Sequence, residues 1–197
     1  MIVICHNIRS SQNVGSIFRT AEAVGCVKIY LSGITPAPLD RFGLPNNHLL
    51  KASLGAEQYL AWEQVKSTKK LITDLKSQGT KILALEQALN SISLFGFDIL
   101  PLRFLGRHCE ESRVLEGRRG NLAQDKMEKS GMRVLDFALI LGNEVSGLPL
   151  ALLALADQII EIPMLGRKES LNVAVAFGIV IFWLYGQSLK SSLTTGK

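Results

Sequence analysis

The sequence has 197 residues, of which 47% are hydrophobic and 20% are charged, and this is the size and composition of one ordinary globular domain. The longest apolar run, residues 173–185 with one internal glycine, is too short to cross a bilayer. Composition therefore excludes both a disordered chain and a membrane span. A net charge of +5 only weakly favours an anionic partner such as nucleic acid.

The amino-terminal half begins with the apolar run Ile2–Cys5, which is typical of a buried strand. An amphipathic helix follows, for which the pattern predicts Asn13 as the polar N-cap and Gly25 as the stop. The next predicted elements are a strand over 27–31, a long loop over 32–47, a helix over 67–78 and a strand over 81–86. Loops of that length in compact domains are often functional.

The carboxyl-terminal half contains predicted strands over 135–141 and 158–162, a short helix over 149–156 and a closing helix over 170–186. Strands that alternate with helices predict an α/β fold, in which helices cover both faces of a parallel sheet. The closing helix is apolar on nearly every side. It must therefore be covered by the rest of the domain or by another subunit.

Residues 103–133 form the one break in composition, with eight basic and five acidic residues. More than half of the net charge of the chain thus lies in this segment. We expect it to be a charged surface insertion within a single domain that spans residues 1–197. Two alternatives stay open for it, an arm that contacts RNA phosphates and a disordered loop without a function.

Three scattered cysteines without a C-x-x-C pair agree with a reducing compartment and argue against a disulfide framework. The first residues lack the basic segment and the cleavage site of a signal peptide. Both observations predict a cytoplasmic location.

A first candidate functional segment reads L-G-N-E-V-S-G-L at residues 141–148, between a predicted strand and a predicted helix. Anions and nucleotides are often bound at such a position. The two glycines have the spacing of a P-loop, but Leu148 stands where a P-loop needs lysine, so nucleoside triphosphate hydrolysis loses its main support. Taken alone, the segment is equally compatible with an ordinary strand–turn–helix connection.

Another candidate segment reads I-P-M-L-G-R-K-E-S-L-N at residues 162–172. Its simplest interpretation makes Ser170 the N-cap of the closing helix. Asn172 is harder to explain, because it opens a strongly apolar helix in which a side-chain amide needs hydrogen-bond partners.

The remaining candidate segment carries Asn7 and Asn13 and continues as V-G-S-I-F-R to Arg19. On a helical wheel, Arg19 lies roughly 160° from the centre of the apolar stripe, so its side chain points away from the core. That position alone describes any solvated arginine.

Together and in chain order, the three segments resemble the motifs of the SpoU (TrmH-like) family of 2′-O-ribose methyltransferases within the SPOUT superfamily. The amino-terminal family motif resembles N-x-N-x-G-x-I-x-R with a variable gap. The central motif resembles L-G-N/A/T-E-x-x-G-L/I/V, and the carboxyl-terminal motif resembles I-P-M-x-G-x-x-x-S-L-N-V-x-V-A. Residues 51–57 and 84–87 also resemble family segments, and the resemblance covers nearly the whole chain except residues 103–133.

The resemblance implies an α/β fold whose carboxyl-terminal part forms a deep trefoil knot, an exception to the rule that chains avoid knots. It also implies that the knot loops bind S-adenosylmethionine. Leu85, Gly142, Ile162 and Leu171 would contact this cofactor largely through backbone groups, and Met164 would line the adenine pocket. Family members are typically homodimers, and the apolar closing helix is the expected subunit interface.

The implied reaction is attack of an RNA ribose 2′-hydroxyl on the sulfonium methyl group. The resemblance to the family implies that Arg19 activates that hydroxyl. Because a guanidinium stays protonated, we expect Arg19 to stabilise the forming alkoxide or to clamp a neighbouring phosphate. The residues expected to hold Arg19 and the ribose are Asn13, Glu144, Ser170 and Asn172, with Asn7 supporting the loop of the amino-terminal motif. The RNA is expected to be a tRNA or an rRNA.

Three alternatives remain. The chain would be a non-catalytic RNA-binding protein on the same scaffold, or a superfamily member that methylates a base. A metal site is suggested by Cys5–His6 and His108–Cys109, but these are adjacent residues rather than spaced ligands, so we expect no metal.

Overall fold

The computed structural model describes residues 1–98 and 137–194, with side chains described as far as residue 187. The predicted insertion at residues 103–133 lies outside the described residues, and so do the last residues of the chain.

The described part of the chain contains one seven-stranded sheet. Its strands are Ile2–His6 (β1), Lys28–Ser32 (β2), Ala61–Val65 (β3), Lys81–Leu85 (β4), Ile92–Ser93 (β5), Phe137–Leu141 (β6) and Gln158–Glu161 (β7). The order in the sheet is β3-β2-β1-β6-β4-β7-β5, and every neighbouring pair is parallel. All strand carboxyl ends therefore lie at one edge.

The helices of the described part connect these strands. They are Ser11–Ala23 (α1), Asn47–Ser53 (α2), Thr68–Ser77 (α3), Leu150–Leu153 (α4) and Val173–Thr194 (α5), with 3₁₀ turns at Ala56–Gln58 and Leu94–Gly96.

The central strands are buried on both faces, and this explains their continuous apolar sequence. In β6, Phe137, Leu139 and Leu141 belong to a core cluster shared with α1 and α5. Alternate residues, Ala138 and Ile140, belong to another cluster shared with α3 and α4. Helices thus cover both faces of the sheet, and the predicted α/β fold with a parallel sheet is confirmed.

Two predicted helix starts are wrong. Helix α1 begins at Ser11, and the side chain of Ser10 accepts a hydrogen bond from Asn13 N at 3.3 Å, so Ser10 is the N-cap. Helix α5 begins at Val173, and Asn172 Oδ1 accepts from Ala174 N at 2.9 Å, so Asn172 caps it in place of Ser170. In both cases two or more side chains of capping type lie within four residues of one another, and propensity alone does not choose between them.

Three elements were not predicted. Strand β3 is an edge strand whose residues are exposed or half-buried, so it lacks the apolar pattern of a buried strand. Helix α2 has seven residues, and its first residue is the last of the predicted loop. Strand β5 has two residues. Elements this short or this exposed leave little periodicity to read.

Cys5 and Cys26 are both buried free thiols. Burial is the main reason that the pKa of the Cys5 thiol is raised and that the pKa of Cys26 is raised to about 12. Both are therefore protonated and unreactive at neutral pH. Across residues 1–98 and 137–194, no helix combines the length and the hydropathy that a bilayer crossing requires.

Candidate active site

The three candidate segments meet at the carboxyl edge of the sheet. The segment with Asn7 and Asn13 follows β1, the segment at 141–148 follows β6, and the segment at 162–172 follows β7. Strands β1 and β6 are neighbours, and β4 separates β6 from β7. Because all strands are parallel, the loops after them emerge on the same side, which is where open α/β sheets usually bind ligands.

The carboxylate of Glu144 joins the loop after β6 to the loop before α1. Its Oε2 accepts a hydrogen bond from Arg9 N at 3.0 Å, and its Oε1 accepts from Ser10 N at 3.1 Å. Oε1 also accepts from the side-chain amide of Asn13 at 3.0 Å. A negative charge beside the first turn of a helix is favoured by the helix dipole, so this arrangement holds the two segments together.

The same three donors change the acidity of Glu144. Partial burial raises the pKa of this carboxyl, but hydrogen bonds from Arg9 N, the Asn13 amide and Ser10 N stabilise the charged form. The net effect is a pKa below the ordinary value. Glu144 is therefore an anion at neutral pH and acts as a hydrogen-bond acceptor.

Asn172 connects the loop after β7 to α1. Its Oδ1 accepts from Ala174 N at 2.9 Å, so its Nδ2 is free to donate to Asn13 Oδ1, also at 2.9 Å. Asn13 Nδ2 in turn donates to Glu144. The backbone N–H of Ala174 can only donate, so it fixes which end of the Asn172 amide is the oxygen. Asn172 Nδ2 then donates to Asn13, and this fixes the orientation of the Asn13 amide as well. We name this set Asn13–Glu144–Asn172 the polar bridge.

Asn7 and Asn143 make another link between the loops after β1 and β6. Asn143 Nδ2 donates to the carbonyl oxygen of Asn7 at 2.7 Å. The Oδ1 of Asn143 accepts from Val145 N at 2.9 Å and from Ser146 N at 3.0 Å, which closes a tight turn around Glu144. Asn7 itself has a φ of 55°, a left-handed conformation that asparagine tolerates better than most residues.

Gly142 is required by close backbone packing. A Cβ atom at this position would lie 2.6 Å from the carbonyl carbon of Gly147 and 2.8 Å from Leu148 N. On the far side of the same turn, Glu86 Oε2 accepts from Leu148 N at 2.7 Å. The loop after β6 is thus held between the loop after β1 and the end of β4.

The residues predicted to bind a cofactor lie at or after the ends of three adjacent strands. Leu85 of β4 pairs with Leu141 of β6 on one side and with Ile160 of β7 on the other. Gly142 and Ile162 follow those two strands directly or closely, and Met164 and Leu171 lie in the loop after β7. Sheet order therefore brings together segments that are far apart in sequence.

Arg19 and Ser170 are both exposed. Within the described ranges, neither side chain makes a hydrogen bond or an ion pair, so no bond joins Arg19 to the polar bridge within the chain. The exposure of Arg19 agrees with the helical wheel.

Sequence reasoning missed Glu86, Asn143 and the backbone N–H groups of Arg9 and Ser10. Glu86 carried a readable signal, since it is an acidic residue directly after a buried strand. Asn143 stands at a position of the central motif, but the bonds by which it and the two backbone donors join the loops were not readable, because those partners are more than 130 residues away.

The suggested metal ligands are placed as follows. Cys5 is buried, and both ring nitrogens of His6 have hydrogen-bond partners. The described residues include no group of three or more His, Cys, Asp or Glu side chains that could hold a metal ion. His108 and Cys109 lie outside the described residues.

Comparison with known proteins gives a match between residues 1–182 and the model of the SpoU rRNA Methylase family. The chain belongs to this family. The match includes all three candidate segments, so the polar bridge is built from the parts of the chain that carry the family resemblance.

Similar proteins include two named enzymes. The tRNA (guanosine(18)-2'-O)-methyltransferase of Borreliella burgdorferi is 27% identical over 192 residues, which cover 96% of this chain and 68% of that protein. The 23S rRNA (guanosine-2'-O-)-methyltransferase RlmB of Xanthomonas axonopodis is 25% identical over 189 residues, which cover 96% of this chain and 59% of that protein.

A solved structure is also similar. The AdoMet-bound rRNA methyltransferase from Sinorhizobium meliloti superposes with a TM-score of 0.67 at 26% identity. The superposition covers 93% of this chain and 54% of that one. The chain thus spans about half to two thirds of the length of these proteins.

Proposed function

We propose that this chain is an S-adenosylmethionine-dependent 2′-O-ribose methyltransferase that acts on tRNA or rRNA. The observation that carries the proposal is the polar bridge, in which side chains from the three family motifs bond directly to one another. Named relatives methylate the ribose of a guanosine in tRNA or in 23S rRNA, and this supports ribose rather than base methylation.

The cofactor site of the proposal lies at the ends of β4, β6 and β7. Leu85, Gly142, Ile162, Met164 and Leu171 would hold the cofactor, which supplies the methyl group when bound. Their backbone and apolar groups fit the uncharged adenosine part of the cofactor, and Leu171 is 38% exposed and thus accessible to it. AdoMet in the similar Sinorhizobium meliloti structure supports the identity of the cofactor.

The chemical roles follow from charge and exposure. The Arg19 guanidinium stays cationic and, being exposed, is available to a ribose 2′-oxygen or to a phosphate. The side chains of the polar bridge, together with Ser170, would position the ribose. Preorganised donors that face a developing negative charge are a major source of rate acceleration.

The test of this function is nucleoside analysis. Purified protein is incubated with S-adenosylmethionine and with tRNA or rRNA from cells that lack the gene, and the digested nucleosides are analysed by mass spectrometry. We expect a nucleoside whose extra methyl group stays with the ribose fragment. A methyl group on the base fragment would make the chain a base methyltransferase, and RNA binding without methylation would make it a non-catalytic binding protein.

A glycine substitution tests the cofactor site. Gly142→Ala should weaken binding of S-adenosylhomocysteine by at least about tenfold, because a Cβ at this position collides with backbone of the same loop and the loop must shift. Isothermal titration calorimetry measures this affinity. Gly96→Ala is the matched control, since a Cβ there has no atom within 4 Å. Equal affinities in the two variants would contradict the assignment.

We also propose a homodimer whose interface includes one face of α5. Val175, Ile179 and Phe182 are spaced as neighbours on one side of the helix, and they are 52%, 39% and 51% exposed in the single chain. Opposite faces of α5 are buried in the core by residues such as Phe177 and Val180. An apolar stripe that is left over after folding is typical of a subunit interface.

Phe182→Glu should convert the dimer into a monomer, because the interface would have to bury an unpaired carboxylate. Light scattering at micromolar concentration measures the mass. Leu150→Glu serves as the control, since Leu150 is 84% exposed on α4, on the other face of the sheet. A monomeric unmodified protein would overturn the proposal.

The trefoil knot belongs to the same proposal. Residues 162–172 leave β7 and reach the polar bridge beside β1, so they pass the ends of β4 and β6. This crossing supports a chain that threads through the loop after β6. An experimental structure traced through residues 137–182 is the test, and an unknotted trace would overturn it.

A further inference from the structure

His6 occupies the last position of β1, directly before Asn7, and its ring is half-buried. Both ring nitrogens are engaged. Nδ1 lies 2.8 Å from Thr68 Oγ1 at the start of α3, and Nε2 lies 3.0 Å from the side-chain nitrogen of Asn7. The ring therefore joins α3 to the loop after β1.

The protonation state of this ring follows from one backbone donor. Ile34 N donates to Asn7 Oδ1 at 3.1 Å, and a backbone N–H has no other role than donor. The amide oxygen of Asn7 must therefore face Ile34, and its Nδ2 must face His6. Since that nitrogen donates, His6 Nε2 accepts, and the single ring proton lies on Nδ1, which donates to Thr68.

The position of Asn7 is fixed by its neighbours. Gly33 stands against its amide so closely that a Cβ at position 33 would collide with Asn7 Oδ1. The backbone of Asn7 is also fixed, because its N–H donates to Ser32 O at 3.1 Å and its carbonyl accepts from Asn143 Nδ2 at 2.7 Å. Asn7 therefore connects the ring of His6 to Asn143, which shapes the turn around Glu144.

We infer that His6 is a positioning residue for the active-site turn and that it performs this role only as the neutral Nδ1–H tautomer. An additional proton on Nε2 would place two donors face to face, and Asn7 would have to give up its bond to His6 or to Ile34. The effect on methyl transfer rests on the proposed function. The tautomer of His6 and its link to Asn143 are independent of the proposed function.

The surroundings of the ring favour the neutral form. The hydrogen-bond partners of the ring belong to Thr68 and Asn7, and both are uncharged. Burial lowers the pKa of His6 below its ordinary value of 6.5. No described charged group adds to this shift, although the elements around the ring carry Arg9, Lys66, Lys69, Lys70 and Glu144. Because the pKa is lower in the folded state, the stabilisation is complete above pH 6.5 and is lost as the pH falls through the folded pKa.

Two substitutions of His6 test its hydrogen bonds to Asn7 and to Thr68 separately. In His6→Gln, the longer side chain carries an acceptor to the place of Nε2 and has no titratable group. In His6→Asn, the shorter side chain carries a donor to the place of Nδ1 and leaves Asn7 without its acceptor. His6→Asn should lower kcat on the order of tenfold at every pH. His6→Gln should retain more activity and should lack the acid-dependent decline that we expect of the unmodified protein.

Nitrogen-15 NMR of the uniformly nitrogen-15-labelled full chain tests the inference without an activity readout. We expect the His6 signals to report the neutral Nδ1–H tautomer, and we expect the side-chain amide of Asn143 to shift as His6 titrates. His48→Gln is the matched control, since His48 is exposed on α2, and it should leave both signals and the activity unchanged. An Nε2–H tautomer, or a titration without a response at Asn143, would overturn the inference. If no pH gave methylated RNA, the proposed function would fail and the NMR result would still decide the role of His6.

Discussion

Replacing Arg19 by alanine should lower the rate of methyl transfer by a factor on the order of 10²–10³, which is the usual effect of removing one well-placed donor from a site that stabilises negative charge. Arg19 is exposed on α1 and contributes nothing to the core. The free energy of unfolding and the affinity for S-adenosylhomocysteine should therefore stay unchanged. Single-turnover methylation at saturating RNA measures the rate.

Two further variants define the role of this side chain. Arg19→Lys keeps the charge but loses the planar fork, so partial recovery would indicate simple electrostatics and no recovery would indicate a bidentate clamp. Arg41→Ala is the matched control, since Arg41 is also exposed but lies in the loop between β2 and α2, over the ring of Phe42. Full activity of Arg19→Ala would contradict the proposed mechanism and the preference for ribose.

Replacing Glu144 by glutamine should reduce the free energy of unfolding by about 2–4 kcal/mol, since hydrogen bonds to a charged group contribute roughly 1.5–3 kcal/mol each. The carboxylate accepts from Arg9 N, Ser10 N and Asn13 Nδ2. A glutamine side chain has only one accepting oxygen. Its amide nitrogen, which is a donor, would face at least one of these three donors. Activity should fall as well, because the polar bridge loses its shared acceptor. Urea unfolding measures the stability.

The control for Glu144 is Glu63→Gln. Glu63 forms an exposed ion pair with Lys28 at 2.7 Å, and exposed pairs contribute at most about 1 kcal/mol. A loss of stability in Glu144→Gln no larger than in this control would mean that the three hydrogen bonds do not stabilise the fold.

The lowered pKa of Glu144 also predicts that the stability of the protein depends on pH. Its pKa is lower in the folded protein than the ordinary 4.5, so its contribution to stability is complete above pH 4.5 and is lost as the pH falls through the folded pKa. The unmodified protein should show this decline in acid, and Glu144→Gln should show less of it. Parallel slopes for the two proteins would contradict the prediction.

The sequence alone was enough for the interior of the fold. Strands β1 and β6 are apolar at nearly every position, and only strands covered on both faces have that composition. The spacing of apolar residues in α1 identified the helix, although its first residue was misplaced. Residue types at the site were also readable, since Asn13, Glu144 and Asn172 stand at motif positions.

The edges of the fold were decided by tertiary structure. Strand β3 has an ordinary polar composition, and it is a strand because its backbone pairs with β2 from Lys28 to Ser32. Contacts between distant parts of the chain also decided which residues are the helix N-caps. Asn172 caps α5 while its amide nitrogen donates to Asn13. Local helix propensity does not predict this arrangement.

The partners at the site depended on the fold in the same way. Asn13 is 131 residues from Glu144 and 159 residues from Asn172, and these bonds exist because β6 lies beside β1 and the loop after β7 returns past β4. A sequence determines which groups donate and accept, whereas strand order determines which of them meet. For His6, even the position of the ring proton was decided by Ile34 N, a backbone donor that bonds to Asn7 across 27 residues of sequence.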